Sequence, residues 1–345
     1  MKFLILGGGP AGIAAAKAVR KAKEDAEILI ATDEKVAPYL RPLMPDFILG
    51  DATAENTLDP EAKDLQQKKI KIAYGRAAVG IDTGARAVTF ADGTQERYDR
   101  LLVATGARCA VPEILQKKSP MIQPFDSWKD AIAIKELASR PGPAVVYGPG
   151  YLAIEACRGL RNAKKEVVWI KPFKPRFGYP IAGELEASIL DDVRNRGARI
   201  KDGDEIVDVK EKGADALQIL SKHGDVINTS LVVVATERLP HVGFLAGSGL
   251  AIETGIVVDD YLQTSVSDVY AAGDCAEFKD KKGGKSFINF GWRSAIKQGQ
   301  LAGENMAGGK RRFGGSQEDY FWALFGSSLA DRGKRISEVE GYGKT

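Results

Sequence analysis

LILGGGPAG, Leu4 to Gly12, sets three glycines between an apolar run and a helix-forming one. Upstream, Lys2 to Leu6 reads as a short buried strand, and Ala11 to Lys21 is rich in Ala and Lys at helical spacing. Gly7 permits the tight turn, Gly9 lets backbone approach a pyrophosphate, and Gly12 lets helix and strand pack closely. The pyrophosphate would rest on the first helical turn, with Pro10 and Ala11, where free N–H groups and the helix dipole favour negative charge. Downstream, the apolar run from Ala26 to Ala31 reaches Thr32, Asp33 and Glu34. A carboxylate there can accept a hydrogen bond from a ribose hydroxyl, with Glu34 the first choice and Asp33 beside it.

The same pattern recurs. VVYGPGYLA, Val145 to Ala153, supplies Gly148 and Gly150, with Tyr151 and Leu152 opening the next helix and Glu155 one turn further on. A third signal, VYAAGD, ends at Gly273 and Asp274. Two strand–turn–helix sites in one chain imply two bound nucleotides and electron transfer between them.

Composition agrees. A chain of 345 residues can form two domains with proper cores, and 44% hydrophobic with 28% charged residues describes an ordinary globular protein. A net charge of +3 is too small to argue for nucleic acid or an anionic membrane. No stretch reaches the roughly 20 apolar residues of a membrane span. The N-terminal apolar run reads as a strand rather than a signal peptide, so a cytoplasmic location is expected. Cys109, Cys157 and Cys275 are too far apart for a CxxC redox pair or a zinc site, and structural thiols are the favoured reading. His223 and His241 lie in polar, loop-like contexts with no partner motif. Neither looks like a general base or a metal ligand, and no metal site is expected.

Between the glycine signals, Pro38 to Asp51 carries three prolines and reads as a loop before Phe47, Ile48 and Leu49. Ile70 to Tyr98 alternates strand-like runs with turns at Asp82–Gly84 and Asp92–Gly93, which predicts a small meander. RLLVATGA reads as a buried strand ending at Thr105 and Gly106. A helix is expected around Ser127 to Ala138, and Pro141 to Pro143 precede the second nucleotide motif.

The order GGGPAG, YLRP, ATGA, GPGYLAIE, DVYAAGDCAE resembles the two-dinucleotide-binding-domain flavoproteins, the pyridine nucleotide–disulfide oxidoreductase family, over roughly residues 1 to 306. The resemblance implies an α/β fold of two Rossmann-like dinucleotide-binding domains, the second inserted into the first. The FAD domain would take residues 1–108 and 242–312, the NAD(P)H domain 109–241, and a shortened C-terminal segment 313–345. It also implies that Asp274 contacts the ribityl–phosphate part of FAD. Thr105 and Gly106, after Ala104, match the turn that passes close to the flavin. Ala78 matches a strand position beside the adenine, and Trp292 the start of a helix beside the isoalloxazine. Arg41, followed by Pro42, would lie near the FAD phosphates with charge-assisted hydrogen bonds.

Within that family the region after the first βαβ unit separates chemistries, because disulfide reductases carry their cysteines there. This chain has Arg41, Pro42, Leu43, Met44 and Pro45 instead. It is similar to rubredoxin and ferredoxin reductases and to the flavin region of NADH-dependent nitrite reductases, which pass electrons from flavin straight to an external acceptor. Asp46 stands where some relatives place a lysine.

The second site departs from the pattern. Ala153 replaces the third glycine, and EVVWIK ends in Lys171 where an NAD site normally shows an acid. Lys174 and Arg176 follow. A basic cluster favours a 2′-phosphate, hence NADPH over NADH, unless it is simply a solvated turn. Glu237 occupies a position where relatives usually have glycine, and there it either obstructs a nicotinamide cofactor or points away. Tyr320, Phe321, Trp322, Leu324 and Phe325 are apolar enough to pack on the body or on a partner chain. The expected function is FAD-dependent NAD(P)H oxidation with a small redox protein as acceptor. A flavin NAD(P)H oxidase, or a non-catalytic FAD-binding or redox-sensing subunit of a larger complex, are the alternatives.

Overall fold

A computed structural model describes residues 1–116, 119–162, 165–172, 190–279 and 286–314. Two five-stranded parallel sheets organise the chain. The first takes β1 (Lys2–Leu6), β2 (Glu27–Ala31), β3 (Ile70–Ala73) and β4 (Arg100–Val103). The chain then builds the second from β5 (Ile122–Pro124), β6 (Ala144–Tyr147), β7 (Val167–Lys171), β8 (Arg199–Asp202) and β9 (Leu231–Val234). It returns to the first sheet with β10 (Val269–Ala271). The strand orders are β10-β4-β1-β2-β3 and β8-β7-β6-β9-β5. In both, the strand before the glycine turn is central and the order reverses beside it. That reversal opens a crevice at the carboxyl ends of the strands, which is where such folds bind ligands.

Two compact units result. The outer one comprises Met1–Pro38, Asp59–Ala107 and the chain from Pro240 on; the inner one comprises Tyr39–Leu58 and Arg108–Leu239. Each has its own core. In the outer unit Phe3, Leu4, Ile5 and Leu6 are fully buried, and in the inner unit so are Val145, Val146, Val232 and Val233. Runs without polar alternation are what a sheet covered on both faces requires.

The inner unit includes Tyr39–Leu58, which takes in most of the proline-rich run read from sequence as a loop before Phe47. It forms a tight turn at Arg41–Leu43 and a short helix, α2 (Met44–Leu49), that follows α1 (Pro10–Ala22) in the chain. Prolines at the first positions of turn and helix cost no hydrogen bond there. Phe47 tilts against Trp128 at 4.3 Å between ring centroids, where α3 (Trp128–Ala138) begins behind its Ser127–Asp130 capping box. A Cβ on Gly159 of α4 (Tyr151–Asn162) would sit 3.0 Å from the Pro45 carbonyl oxygen, so glycine there allows α2 to approach closely.

The expected meander is three strands, Ala78–Asp82, Ala87–Phe90 and Gln95–Arg97. Ile70–Ala73 does not join it but pairs in parallel with β2, which is how its buried Ile70 is covered. The last described helix, α5 (Trp292–Met306), runs parallel to α1: a Cβ on Gly299 would lie 2.1 Å from the Ala11 oxygen, and one on Gly303 2.4 Å from the Ala15 oxygen. From that register α5 starts about six residues, roughly 9 Å, ahead of α1. Among the described residues no helix is long and apolar enough to cross a membrane.

Candidate functional site

Gly7 has φ +116°, and a Cβ there would lie 2.2 Å from the carbonyl oxygen of Ala104, which follows β4 across the crevice. The approach is fixed from both sides: Gly7 N–H donates to Ala31 O at 2.8 Å, and Ala104 N–H to Leu6 O at 2.8 Å. Gly12 is equally constrained, its Cβ falling 2.0 Å from Gly7 O. Gly9, by contrast, has nothing within 4 Å of a Cβ. It caps α1 without a side-chain hydrogen bond, Pro10 opens the helix, and the first turn, which includes Ala11, holds no acid. The N–H groups there are left for an anionic ligand.

Of the other expected residues of this unit, Gly273 packs against the first turn of α1, a Cβ there lying 3.2 Å from that of Ala11. Thr105 donates its hydroxyl to His241 O at 2.9 Å, and His241 N–H donates to Gly106 O at 2.8 Å. Gly106 has φ +66° with open space at its Cβ. Gly273, φ +81°, donates to Gln298 Oε1 at 2.8 Å, and Asp274 Oδ1 accepts from Gly291 N–H at 3.1 Å. The first bond reaches the middle of α5 and the second its N-cap, Gly291, after which Trp292 is the first helical residue. Glu34 is half-buried and Asp33 exposed just past β2, with Gly75 donating to Glu34 O at 2.9 Å. Ala78 opens the meander strand. The arrangement suits a dinucleotide: an open, uncapped helix N-terminus, a glycine turn with no Cβ, and carboxylates at the end of the second strand. Sequence reading missed His241 and Gln298. His241 acts through its backbone, which leaves no residue-type signal. Gln298 is fully buried and also donates to Asn289 O and Ser294 Oγ.

The inner unit repeats the geometry. Gly148 has φ +156°, and its Cβ would lie 2.0 Å from Ala235 O. Gly148 N–H donates to Ile170 O at 3.2 Å and Ala235 N–H to Tyr147 O at 2.8 Å. Gly150 is open, with Tyr151 and Leu152 beginning α4 beside it. Ala153 is fully buried where the outer unit has Gly12, and the Gly148 carbonyl instead accepts the indole N–H of Trp169 at 2.8 Å.

Several expected residues have partners within this unit. Glu155 is buried and bridged to Arg158 at 2.9 Å, which also reaches Asp46 at 2.7 Å. Burial alone would lower the Arg158 pKa, but Glu155 and Asp46 hold it above the ordinary value. Arg41, in the same turn as Pro42, donates to the Asp126 carbonyl, lies 3.7 Å from its carboxylate and stands over the Tyr39 ring. Asp126 is buried and also takes Arg238 at 2.6 Å and Arg108 at 3.8 Å. Burial pushes its carboxyl up, but Arg238, Arg41 and Arg108 together hold it below the usual carboxylate range. Lys171 is paired with Asp202 at 2.9 Å. Lys174, Arg176 and the aromatic run from Tyr320 to Phe325 lie outside the described residues. Glu237 is half-buried without the positive φ that Gly106 has at the matching place, and its carbonyl accepts Ala110 N–H at 2.9 Å.

Two of the thiols are hydrogen-bonded and the third, Cys157, is buried. Burial raises the pKa of Cys157, Cys275 and Cys109. Cys109 contacts Val234 O and Thr236, while Cys275 donates to Val103 O and Ala272 O. None is a ready thiolate nucleophile.

The family model described as pyridine nucleotide-disulphide oxidoreductase matches residues 1–302. An NADH-rubredoxin oxidoreductase of Clostridium acetobutylicum is 30% identical over 307 residues, covering 89% of this chain and 75% of that one. A rubredoxin-NAD(+) reductase of Pseudomonas putida is 25% identical over 312 residues, covering 89% and 80%. The crystal structure of NADH:rubredoxin oxidoreductase from Clostridium acetobutylicum superposes with a TM-score of 0.76 at 26% identity, covering 91% of this chain and 77% of the other.

Proposed function

Because this chain belongs to the pyridine nucleotide-disulphide oxidoreductase family, we propose that it is an FAD-dependent NAD(P)H oxidoreductase that passes electrons to a small redox protein. The observation that carries this is the duplicated pinch, Gly7 on Ala104 and Gly148 on Ala235, which supplies one dinucleotide cradle per unit. The outer unit, with the acids after β2 and with Asp274 and Trp292 at the head of α5, is the FAD site; the inner unit takes the nicotinamide nucleotide. FAD, once bound, supplies the exchange between a two-electron hydride donor and a one-electron acceptor.

The chain's own residues bind and orient. The N-terminal N–H groups of α1 hold the pyrophosphate, Gly9 and Gly106 leave the cofactor room, and the Gly273–Gln298 bond sets the strand end that carries Asp274. No thiol relay operates, since Cys157 and Cys275 are buried, Cys109 is bonded to Val234 O and Thr236, and no cysteine lies in residues 39–58. Electrons therefore leave the flavin for an external acceptor, and relatives named for rubredoxin support a small redox protein in that place.

Anaerobic titration of the purified protein with NADH and NADPH, following the visible flavin band, tests this reading. Rapid bleaching followed by reoxidation with added rubredoxin or ferredoxin is expected. A flavin spectrum that neither nucleotide changes would overturn it. Reoxidation by oxygen alone would make the protein an oxidase.

A further inference from the structure

We propose that Asp202, at the end of edge strand β8 of the inner sheet, sets the nicotinamide-nucleotide preference of this chain in favour of NADH, in place of the missing acid after β7. The inference rests on the inner unit being the nicotinamide site. The two units can be aligned through their hydrogen bonds. Gly7 N–H donates to Ala31 O and Gly148 N–H to Ile170 O, so Lys171 matches Thr32. The places of Asp33 and Glu34 then fall on Pro172 and Phe173, and the ribose-binding acid has no counterpart after β7.

The neighbouring strand supplies one. In the parallel register Lys171 stands opposite Asp202, while the matching place in the outer unit is Tyr74. Lys171 Nζ meets Asp202 Oδ1 at 2.9 Å, and Gly203 N–H donates to Lys171 O at 2.8 Å, which pins the two strand ends together. The lysine side chain is only 14% exposed and the aspartate 54%. At this edge the charge presented to solvent is therefore the carboxylate. The turn beyond β8 is held from within by fully buried Asp204, whose Oδ1 accepts from Glu205 and His223 N–H groups. A carboxylate so placed accepts hydrogen bonds from ribose hydroxyls and repels a 2′-phosphate, and Lys171, the basic residue at the strand end, is already committed to it. Lys171, one of the three basic residues that argue from sequence for NADPH, thus becomes half of an ion pair.

The test uses the full-length, flavin-loaded protein and two adenine nucleotides that differ only at the 2′ position, 5′-AMP and adenosine 2′,5′-bisphosphate, titrated by calorimetry. Wild type is expected to bind 5′-AMP at least about tenfold more tightly than the bisphosphate. Asp202→Asn should bring the ratio to about unity or invert it, and Asp202→Glu should keep it. Lys171→Met added to Asp202→Asn should remove the gained affinity for the bisphosphate. The relative rates of flavin bleaching by NADH and NADPH should move in parallel. Equal ratios in wild type and Asp202→Asn, or a wild-type preference for the bisphosphate, would overturn the role of Asp202 while leaving nucleotide use intact. Wild-type protein that binds neither compound would overturn the nucleotide reading of the inner unit, and Asp202 with it.

Discussion

A methyl group at Gly7 would sit 2.2 Å from the Ala104 carbonyl oxygen, whereas one at Gly9 would meet nothing within 4 Å. Two glycines of one motif therefore serve different ends, and substitutions should separate them. Gly7→Ala forces backbone apart at a positive φ, so a lower melting temperature and a loss of about 2–4 kcal/mol in stability are expected, together with loss of bound flavin. Gly9→Val should leave the melting temperature of the flavin-free protein nearly unchanged and still reduce flavin occupancy, read from the visible band. Equal thermal damage by both would contradict this division. Asp126 is a residue-scale case of a different kind. Its carboxyl pKa is depressed in the folded protein, against the pull of burial, by Arg238, Arg41 and Arg108. Its contribution to stability is present above the ordinary value of 3.8 and is lost as pH falls through the lower folded value. Asp126→Asn should flatten the acid limb of a stability–pH curve below about pH 4 and destabilise at pH 7, because the arginines lose their shared carboxylate.

At the scale of elements, α5 is held to α1 by small residues. Gly299 and Gly303, four apart, face Ala11 and Ala15 with no room for a Cβ. The same helix carries Gln298, whose Oε1 takes the Gly273 N–H. A change that lifts α5 therefore disturbs the residue before Asp274. Gly299→Ala is expected to lower the melting temperature and the flavin affinity together, while Gln300→Ala, on the exposed face of the helix, should change neither. In the inner unit, α2 and α4 are joined by Arg158 between Asp46 and Glu155. Removing the guanidinium takes a 2.9 Å ion pair from buried Glu155 and a 2.7 Å one from Asp46, and Arg158→Met should cost about 3 kcal/mol in urea unfolding. A cost under about 0.5 kcal/mol would mean that the pair behaves like a surface contact.

The whole chain holds two cores rather than one, and each encloses its own glycine turn. Gly148→Val should abolish binding of nicotinamide nucleotides, measured by calorimetry, and leave flavin content near that of wild type, since its collision is with Ala235 in the inner unit alone. Loss of flavin in this variant would contradict the separate siting of the two nucleotides. Much of this was legible in the chain itself. The strand–glycine–helix runs at Leu4–Gly12 and Val145–Ala153 announce their geometry because the constraint is local: a turn, a helix start and a missing Cβ lie within nine residues. The third signal at Gly273–Asp274 is short, yet its place after a buried strand is visible for the same reason. What only the tertiary structure decided is where distant segments meet. Pro38 to Asp51 looks like a loop because Pro42 and Pro45 sit where helical turns begin, and the membership of Tyr39–Leu58 in the inner unit depends on contacts such as Phe47 with Trp128 and Pro45 with Gly159, more than eighty residues on. Ile70–Ala73 reads as hairpin until β2 lies beside it. Lys171 announces a positive charge, but its sign is answered by Asp202, thirty-one residues away and one strand over. Local backbone demands leave their mark in consecutive residues; charge pairing and sheet membership depend on neighbours in space, and only the folded chain names them.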